Sequence, residues 1–457
     1  MIRAGRPGLV LAASTLGFSM VLLDTTVVNV AGPAIRDNLD ASSSTLQWVV
    51  NAYTLVFAAL LLLMGALADR LGARRVFLAG LATFAVGSAA AASAPSAGAL
   101  VAAQALLGVG AALVLPTSLA LLSVAFPFPD AGARARAVGI WAAGSASAFA
   151  LGPVLGGALT DAAGWRWVFL VNLPFAVVAS VLAWRFAPRG RPAGVRPASA
   201  AGQLAAIVAL GALTFALIEG GDRGWTSAVV LFSFVVAVVS AIWLVGHERR
   251  TPAPLLPLTL LADRRFSAST GAGALVNLAF YGELFVLSLF LQQERGLTAL
   301  EAGLAFLPQP LLTMAVAPVT GRLVATYGPR LPLGVGGVFA TLGAVLLLGV
   351  DVHSGYGVLA GGLVLTGLGG GLMIPALTAA VVGAAPARLA GTASAGLNAG
   401  RQVGGAIGVA LLGSLAASGD AVVGLHVAVA LAAVALLGAT LLARALPEAR
   451  AVRVVTA

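Results

Sequence analysis

The chain contains no cysteine, no lysine and only three histidines. Without cysteine it can form neither disulfides nor thiolate metal sites, and its compartment is left open. His247, His353 and His426 are far apart in the sequence and form no metal-ligand cluster. Charge of either sign is scarce: 9% of residues are Asp, Glu, Lys or Arg, against about 25% in an ordinary soluble domain. A water-soluble fold of this length could not cover its surface with so few ions. No P-loop is present, so ATP is not the energy source within this chain. Asp37 and Asp40 come nearest to an acidic cluster and lack a companion pair. That argues against the metal-diphosphate chemistry of a membrane-embedded transferase.

What the chain does have is apolar length. It is 60% hydrophobic with a mean hydropathy of +1.02. Runs of roughly 20 apolar residues, enough to cross a hydrocarbon core as helix, recur from end to end. All 26 basic residues are Arg, and the net charge is +10. They are scattered between apolar runs without a dense patch, which excludes a nucleic-acid partner. The first run starts near Leu9, after Arg3 and Arg6, and continues to about Pro33. That exceeds a signal peptide's apolar region, so it reads as a retained first span.

The pattern predicts an all-α integral membrane protein of 14 transmembrane helices. They fall near 9–33, 46–68, 75–94, 98–124, 136–160, 165–187, 202–219 and 227–246. Six more follow near 267–292, 300–324, 331–350, 356–381, 391–416 and 421–444. Residues 1–187 would form one six-helix bundle and 266–457 another, joined by a basic linker, 188–265, that carries two inserted helices. With both termini cytoplasmic, the inner segments hold 21 arginines, among them Arg74, Arg75, Arg189, Arg191, Arg196, Arg249, Arg250, Arg264 and Arg265. The outer loops hold only Arg36, Arg166, Arg223 and Arg295, and Arg401 falls inside a span. This positive-inside bias supports an even number of spans and fixes the orientation.

Two internal repeats relate the ends of the chain. Gly65-Ala-Leu-Ala-Asp69-Arg70-Leu-Gly72 between spans two and three is matched 256 residues later by Gly321-Arg322-Leu323 through Gly328-Pro-Arg330. Span five carries small residues at Gly144, Ala148, Gly152 and Gly156, and span thirteen carries Gly396, Gly400, Gly404 and Gly408, each 252 residues on. Such stripes let helix backbones approach closely in lipid. Repeated six-span halves are how many secondary transporters are built, with the substrate site between them. A channel or a passive receptor predicts neither feature.

These features resemble the major facilitator superfamily, and within it the fourteen-span drug:proton antiporter branch. The resemblance covers nearly the whole chain. Gly65-x-Leu67-x-Asp69-Arg70-x-Gly72-x-Arg74-Arg75 is similar to the superfamily's loop signature, with Ala73 in place of one basic residue. Leu151-Gly152-Pro153-x-x-Gly156-Gly157 resembles the motif associated with exporters. Leu23-Asp24-Thr25-Thr26-Val27-Val28-Asn29-Val30-Ala31-Gly32-Pro33 and Trp165-Arg166-Trp167-x-Phe169-x-x-Asn172-x-Pro174 resemble the fourteen-span branch. In span four the family pattern carries an arginine linked to proton coupling. Here Gln104 stands in its place, and Leu107 replaces the usual Gln.

The resemblance implies a non-enzymatic exporter of small amphipathic drugs or antibiotics in a bacterial cytoplasmic membrane, driven by the proton gradient without cofactor or metal and functional as a monomer. A dedicated exporter of one endogenous metabolite is the alternative in the same fold. Ionisable groups deep in the spans are Asp24, Glu283 and Arg401, and the cost of burying charge in lipid makes each a functional candidate. Asp24 reads as a proton or cation site, or as a helix-packing carboxylate bonded to Thr25 or Thr26. Glu283 reads as a second proton carrier or an attractor of a cationic drug, or else as a partly hydrated residue of an outward-opening cavity with no role in turnover. Arg401 shares a face with Ser394, Asn398 and Gly408; it supplies the cavity's positive charge and could pair with an acid, or it is satisfied by backbone carbonyls. Gly65, Asp69, Arg70, Gly72, Arg74 and Arg75 would form a cytoplasmic gate, with Gly65 and Gly72 permitting a tight turn. Gly144, Gly152, Pro153, Gly156 and Gly157 would shape a close, bent helix contact. Asn29, Trp48, Asn51, Tyr53, Gln104, Trp141, Asn277, Phe280, Tyr281 and Asn398 are candidates for a cavity lining.

Overall fold

Lipid offers no partner to a backbone N–H or C=O, so an apolar chain must satisfy both within each crossing segment. The computed structural model describes residues 6–126, 131–188, 199–251, 254, 257–386, 389–417 and 420–446, and no strand occurs among them. Arg3, Arg189, Arg191 and Arg196 lie outside the described residues.

The helices are α1 (Pro7–Leu39), α2 (Ser43–Leu71), α3 (Ala73–Ala92), α4 (Ala97–Ala125) and α5 (Ala131–Ala163). A short α6 (Trp167–Leu170) and α7 (Asn172–Phe186) together make one span, followed by α8 (Ala200–Arg223) and α9 (Ala228–Glu248). After α10 (Leu258–Ala262) come α11 (Arg264–Gln293), α12 (Ala299–Ala305) with α13 (Pro308–Tyr327), and α14 (Arg330–Leu347). The chain continues through α15 (Tyr356–Ala384), α16 (Ala390–Ala416) and α17 (Ala421–Leu442). Thirteen of these spans are long and apolar enough to cross a bilayer. The 27-residue α16 is a fourteenth of crossing length, and Asn398, Arg401 and Gln402 lower its hydropathy. Among the described residues the protein is all-α, with thirteen membrane-crossing spans and a fourteenth helix of crossing length.

Short polar residues start the helices by capping orphan N–H groups. Ser42, Ser96, Ser199 and Ser227 each accept from a backbone N–H one turn on. Thr298 and Glu301 form a reciprocal capping box on α12, and Asp420 caps α17. Gly72 (φ 91°), Gly224 (φ 86°) and Gly328 (φ 76°) turn the chain where a side chain would be strained.

The described residues fall into two compact units, one within Met1–Leu255 and Leu287–Leu307, the other within Leu256–Val286 and Pro308–Ala457. In the first unit α1 lies against α4, α5 and α7, and α3 against α4 and α7. The inserted helices α8 and α9 pack on one another, and α8 packs on α2. Burial separates the roles: 72% of the apolar window of α1 is buried, against 11% for α9. α1 is therefore a central helix and α9 a lipid-facing one. In the second unit α14 lies against α15 and α17, and α13 against α15.

Candidate functional site

Successive side chains on a helix point about 100° apart, so Asp24, Thr25 and Thr26 of α1 reach different neighbours. Asp24 is buried, and its Oδ1 accepts a hydrogen bond from Asn172 Nδ2 of α7 at 2.7 Å. The same amide nitrogen reaches Ser88 Oγ of α3 at 3.3 Å. Thr25 Oγ1 donates to Val21 O at 2.8 Å and lies 3.5 Å from the Tyr53 hydroxyl, which itself donates to Val21 O at 2.9 Å. Thr26 Oγ1 lies 3.2 Å from both Leu23 O and Phe149 O, the latter on α5. The partner of Asp24 comes from α7, not from the adjacent threonines.

Two buried oxygens of this cluster, Asp24 Oδ2 and Asn172 Oδ1, have no protein partner. Both are acceptors while the carboxyl is ionised. A proton on Asp24 makes one of its oxygens a donor, so the hydrogen-bonding capacity of the cluster changes with protonation. Other buried polar atoms of this unit are also without a protein partner: Asn29 Oδ1, both side-chain atoms of Asn51, Gln104 Oε1 and Trp141 Nε1. Native structures leave few such groups, and these five atoms belong to α1, α2, α4 and α5. Asn29 Nδ2 donates to Thr25 O at 3.1 Å, and Trp141 stacks on Phe18 with centroids 4.7 Å apart. Trp48 turns to the inserted pair instead, donating from Nε1 to Glu219 of α8 at 3.4 Å.

In the second unit Glu283 is buried on α11, and its Oε1 has no protein partner. The Arg401 stem passes close over Gly273, and its Nε donates to Asn277 Oδ1 at 3.3 Å. That partner is a side-chain amide, neither an acid nor a backbone carbonyl. Tyr281 lies against Gly405 and meets Phe280 edge-on at 5.4 Å. Asn398 turns back on its own helix, donating to Ser394 O at 3.0 Å.

The glycine stripes are contact surfaces. A Cβ on Gly144 would stand 2.6 Å from Thr15 of α1, one on Gly152 would collide with Thr26, and one on Gly156 would stand 2.7 Å from Val27. On α16, Gly404 and Gly408 approach Ala274 O and Leu278 O of α11 too closely to admit any side chain. Gly157 faces elsewhere, against Ala299 of α12, and Gly303 of α12 closes on Pro153 O. Asp161, at the end of α5, accepts from Ala299 N at 3.3 Å and Leu300 N at 2.9 Å, capping α12.

In the loop signature, Gly72 alone makes the turn, and its N–H closes α2 on Ala68 O at 2.9 Å. Gly65 does not: it lies inside α2, where the nearest atom to an added Cβ is 3.9 Å away on Pro116. Asp69, Arg70 and Arg75 are exposed, while the Arg74 guanidinium donates to Trp184 O at the end of α7.

The family model described as Major Facilitator Superfamily matches residues 14–409, and again 270–456. The chain belongs to the Major Facilitator Superfamily. It is a membrane transporter, not an enzyme. Over 406 residues it is 38% identical to the methylenomycin A resistance protein of Streptomyces coelicolor, covering 89% of this chain and 85% of that one. It is 39% identical over 410 residues to the multidrug resistance protein Stp of Mycobacterium tuberculosis, covering 90% and 76%. In fold it is similar to the crystal structure of the POT family transporter PepTSo, with a TM-score of 0.72, 16% identity and coverage of 96% and 98%.

For this superfamily member, sequence reasoning missed Ser88, the pairing of Asn172 with Asp24, and Asp161. Asn172 was visible within a motif, but nothing local tied it to a residue 148 positions earlier. A lone serine in apolar α3 was the sole signal for Ser88.

Proposed function

We propose that this protein is a proton-coupled exporter of amphipathic drugs or antibiotics, working by alternating access in a bacterial cytoplasmic membrane with both termini inside. The observation that carries this reading is the Asp24 cluster, a carboxyl enclosed among three helices with one oxygen bonded to Asn172 and the other open. Lipid-embedded ionisable groups are retained where charge must be exchanged. A proton arriving from outside neutralises Asp24, weakens its hold on the Asn172 amide and loosens α1 against α3 and α7. Glu283 is the second proton carrier or the attractor of a cationic substrate. Because Gln104 is neutral, Arg401 supplies the interior positive charge, held by Asn277.

The moving bodies are the six-helix bundles 1–187 and 266–457, with 188–265 as the linker. Outward opening requires α12 and the end of α11 to leave α5 and α1. It breaks the Asp161 cap and the bonds from Ser288 to Asn29 O (3.0 Å) and from Gln292 to Val30 O (3.1 Å). The Asn51 amide, Asn29 Oδ1 and Trp141 Nε1, which have no hydrogen-bond partner, supply polar contacts in an otherwise apolar interior, as substrate sites commonly do. The protein acts as a monomer, with lipid, protons and substrate as its partners.

Relatives named for methylenomycin A resistance and for multidrug resistance support drug export and leave two breadths of substrate. A dedicated exporter of one antibiotic is the second reading, favoured by the methylenomycin relative. Resistance profiling in an efflux-deficient host separates the two: many unrelated compounds, or one. Coupling is tested in inverted vesicles under an imposed proton gradient, where the wild type accumulates substrate and Asp24→Asn and Glu283→Gln do not. Full gradient-driven uptake by both variants would sink the proton-site assignment. External labelling of the Arg249–Arg250 loop in intact cells would overturn the orientation.

A further inference from the structure

We propose that the groove between α14 and α17 is a binding site for an anionic phospholipid of the cytoplasmic leaflet. The site lies within the second unit and rests on the orientation proposed above. The groove encloses about 580 Å³. Arg330, the first residue of α14, and Arg444, in the 3-10 turn after α17, both line it. Deeper along α14 the lining becomes aliphatic, with Val335 42% and Val338 54% exposed. Space is available between these residues, because a Cβ on Gly334 would meet nothing within 4 Å. Three residues on, Gly337 meets Thr440 so closely that the helices close the groove.

The groove thus has two cations at its water end and an apolar channel at its hydrocarbon end. An orthophosphate ion would match the arginines and leave the aliphatic floor bare. A zwitterionic lipid would cover the floor and oppose the arginines with its own cation. A phospholipid of net negative charge matches both, as basic pockets between helices at the cytoplasmic face do. Tyr327, exposed at the same end, adds the amphipathic ring that favours the headgroup level.

The test is native mass spectrometry of the full chain released from detergent containing equal phosphatidylglycerol and phosphatidylcholine. Each arginine near an anionic headgroup is worth about fivefold, so the wild type should retain phosphatidylglycerol over phosphatidylcholine by roughly 25-fold. Arg330→Gln with Arg444→Gln should erase the preference, and the paired Lys variants should keep most of it. Gly334→Phe, with both arginines intact, should lose the lipid by filling its channel. Arg322→Gln, outside the groove lining, should retain it, and melting temperatures verify that each variant is folded. The proposal is overturned by an absent wild-type preference, by a preference that survives either the Gln pair or Gly334→Phe, or by displacement with millimolar inorganic phosphate. Failure of gradient-driven uptake would instead strike the transport reading and leave the lipid count unchanged.

Discussion

The two sequence halves share a skeleton and differ in what they place against it. Gly152 of α5 closes on Thr26 and, 3.3 Å from an added Cβ, on Leu23 O of α1, and Gly156 closes on Val27; Gly404 and Gly408 of α16 close on Ala274 and Leu278 of α11. Leu23 and Ala274, like Val27 and Leu278, are 251 residues apart, so the two helix pairs are in register. In that register Leu275 is the counterpart of Asp24. Asp24 meets Asn172 of α7, which completes the first six spans, whereas Leu275 approaches Gly438 of α17, the last span of the second half. One wall holds a carboxyl and an amide; its counterpart is aliphatic. Repetition is kept where backbone must meet backbone and abandoned where, on our proposal, a proton is carried.

The largest expected effect tests the shared skeleton. Gly152→Leu and Gly404→Leu each drive a side chain into occupied space, at a cost of about 3 kcal/mol or more. Both should lower the melting temperature in detergent by similar amounts, and a loss confined to one would break the equivalence. Next comes Leu275→Asp, which installs the carboxyl without its amide. A charged group at the centre of a span costs about 2.5–3.5 kcal/mol, so this variant should be destabilised and gain no transport. Were it as stable as the wild type, the contrast between the halves would dissolve.

Asn172→Leu should cost less, about 2 kcal/mol, because a buried acceptor loses its donor. Ser88→Ala, at 3.3 Å from the same amide, should cost about 1 kcal/mol or less. Combined with Asp24→Asn, the Asn172 change should be non-additive by about 0.5 kcal/mol or more. Strict additivity in thermal melts would mean that the two residues do not act as a unit.

What could be read in advance follows the range of each signal. Apolar length and arginine distribution are local properties summed over many residues, so the spans and the small-residue stripes were legible. The helix against which each stripe packs was not, because spacing shows that a backbone must approach without naming it. The two breaks inside spans coincide with Pro174, at the start of α7, and with Pro308 and Pro310, at the start of α13; proline alone does not predict a break, because Pro33, Pro116, Pro153, Pro318 and Pro375 lie inside continuous helices. Long-range polar pairs were the hardest. Trp48 finds Glu219 across 171 residues, and Asp161 caps a helix 138 residues on. Nothing around Trp48 or Asp161 encodes those partners.

The smallest effects, of opposite sign, sharpen the same comparison at the loops. Gly65 and Gly321 are one repeat apart, as are Gly72 and Gly328, and the first pair lies inside α2 and α13. An alanine at Gly65 finds its nearest neighbour at 3.9 Å, and at Gly321 it finds none within 4 Å. Each substitution should therefore stabilise its helix by up to about 1 kcal/mol, the ordinary difference between Gly and Ala in a helix interior. Gly72 and Gly328 hold φ at 91° and 76°, where a side chain costs about 1–2 kcal/mol. Thermal melts of the four alanine variants should therefore divide by position in the motif, not by half of the chain. If Gly65→Ala proved as damaging as Gly72→Ala, Gly65 would need a role that its place inside α2 does not supply.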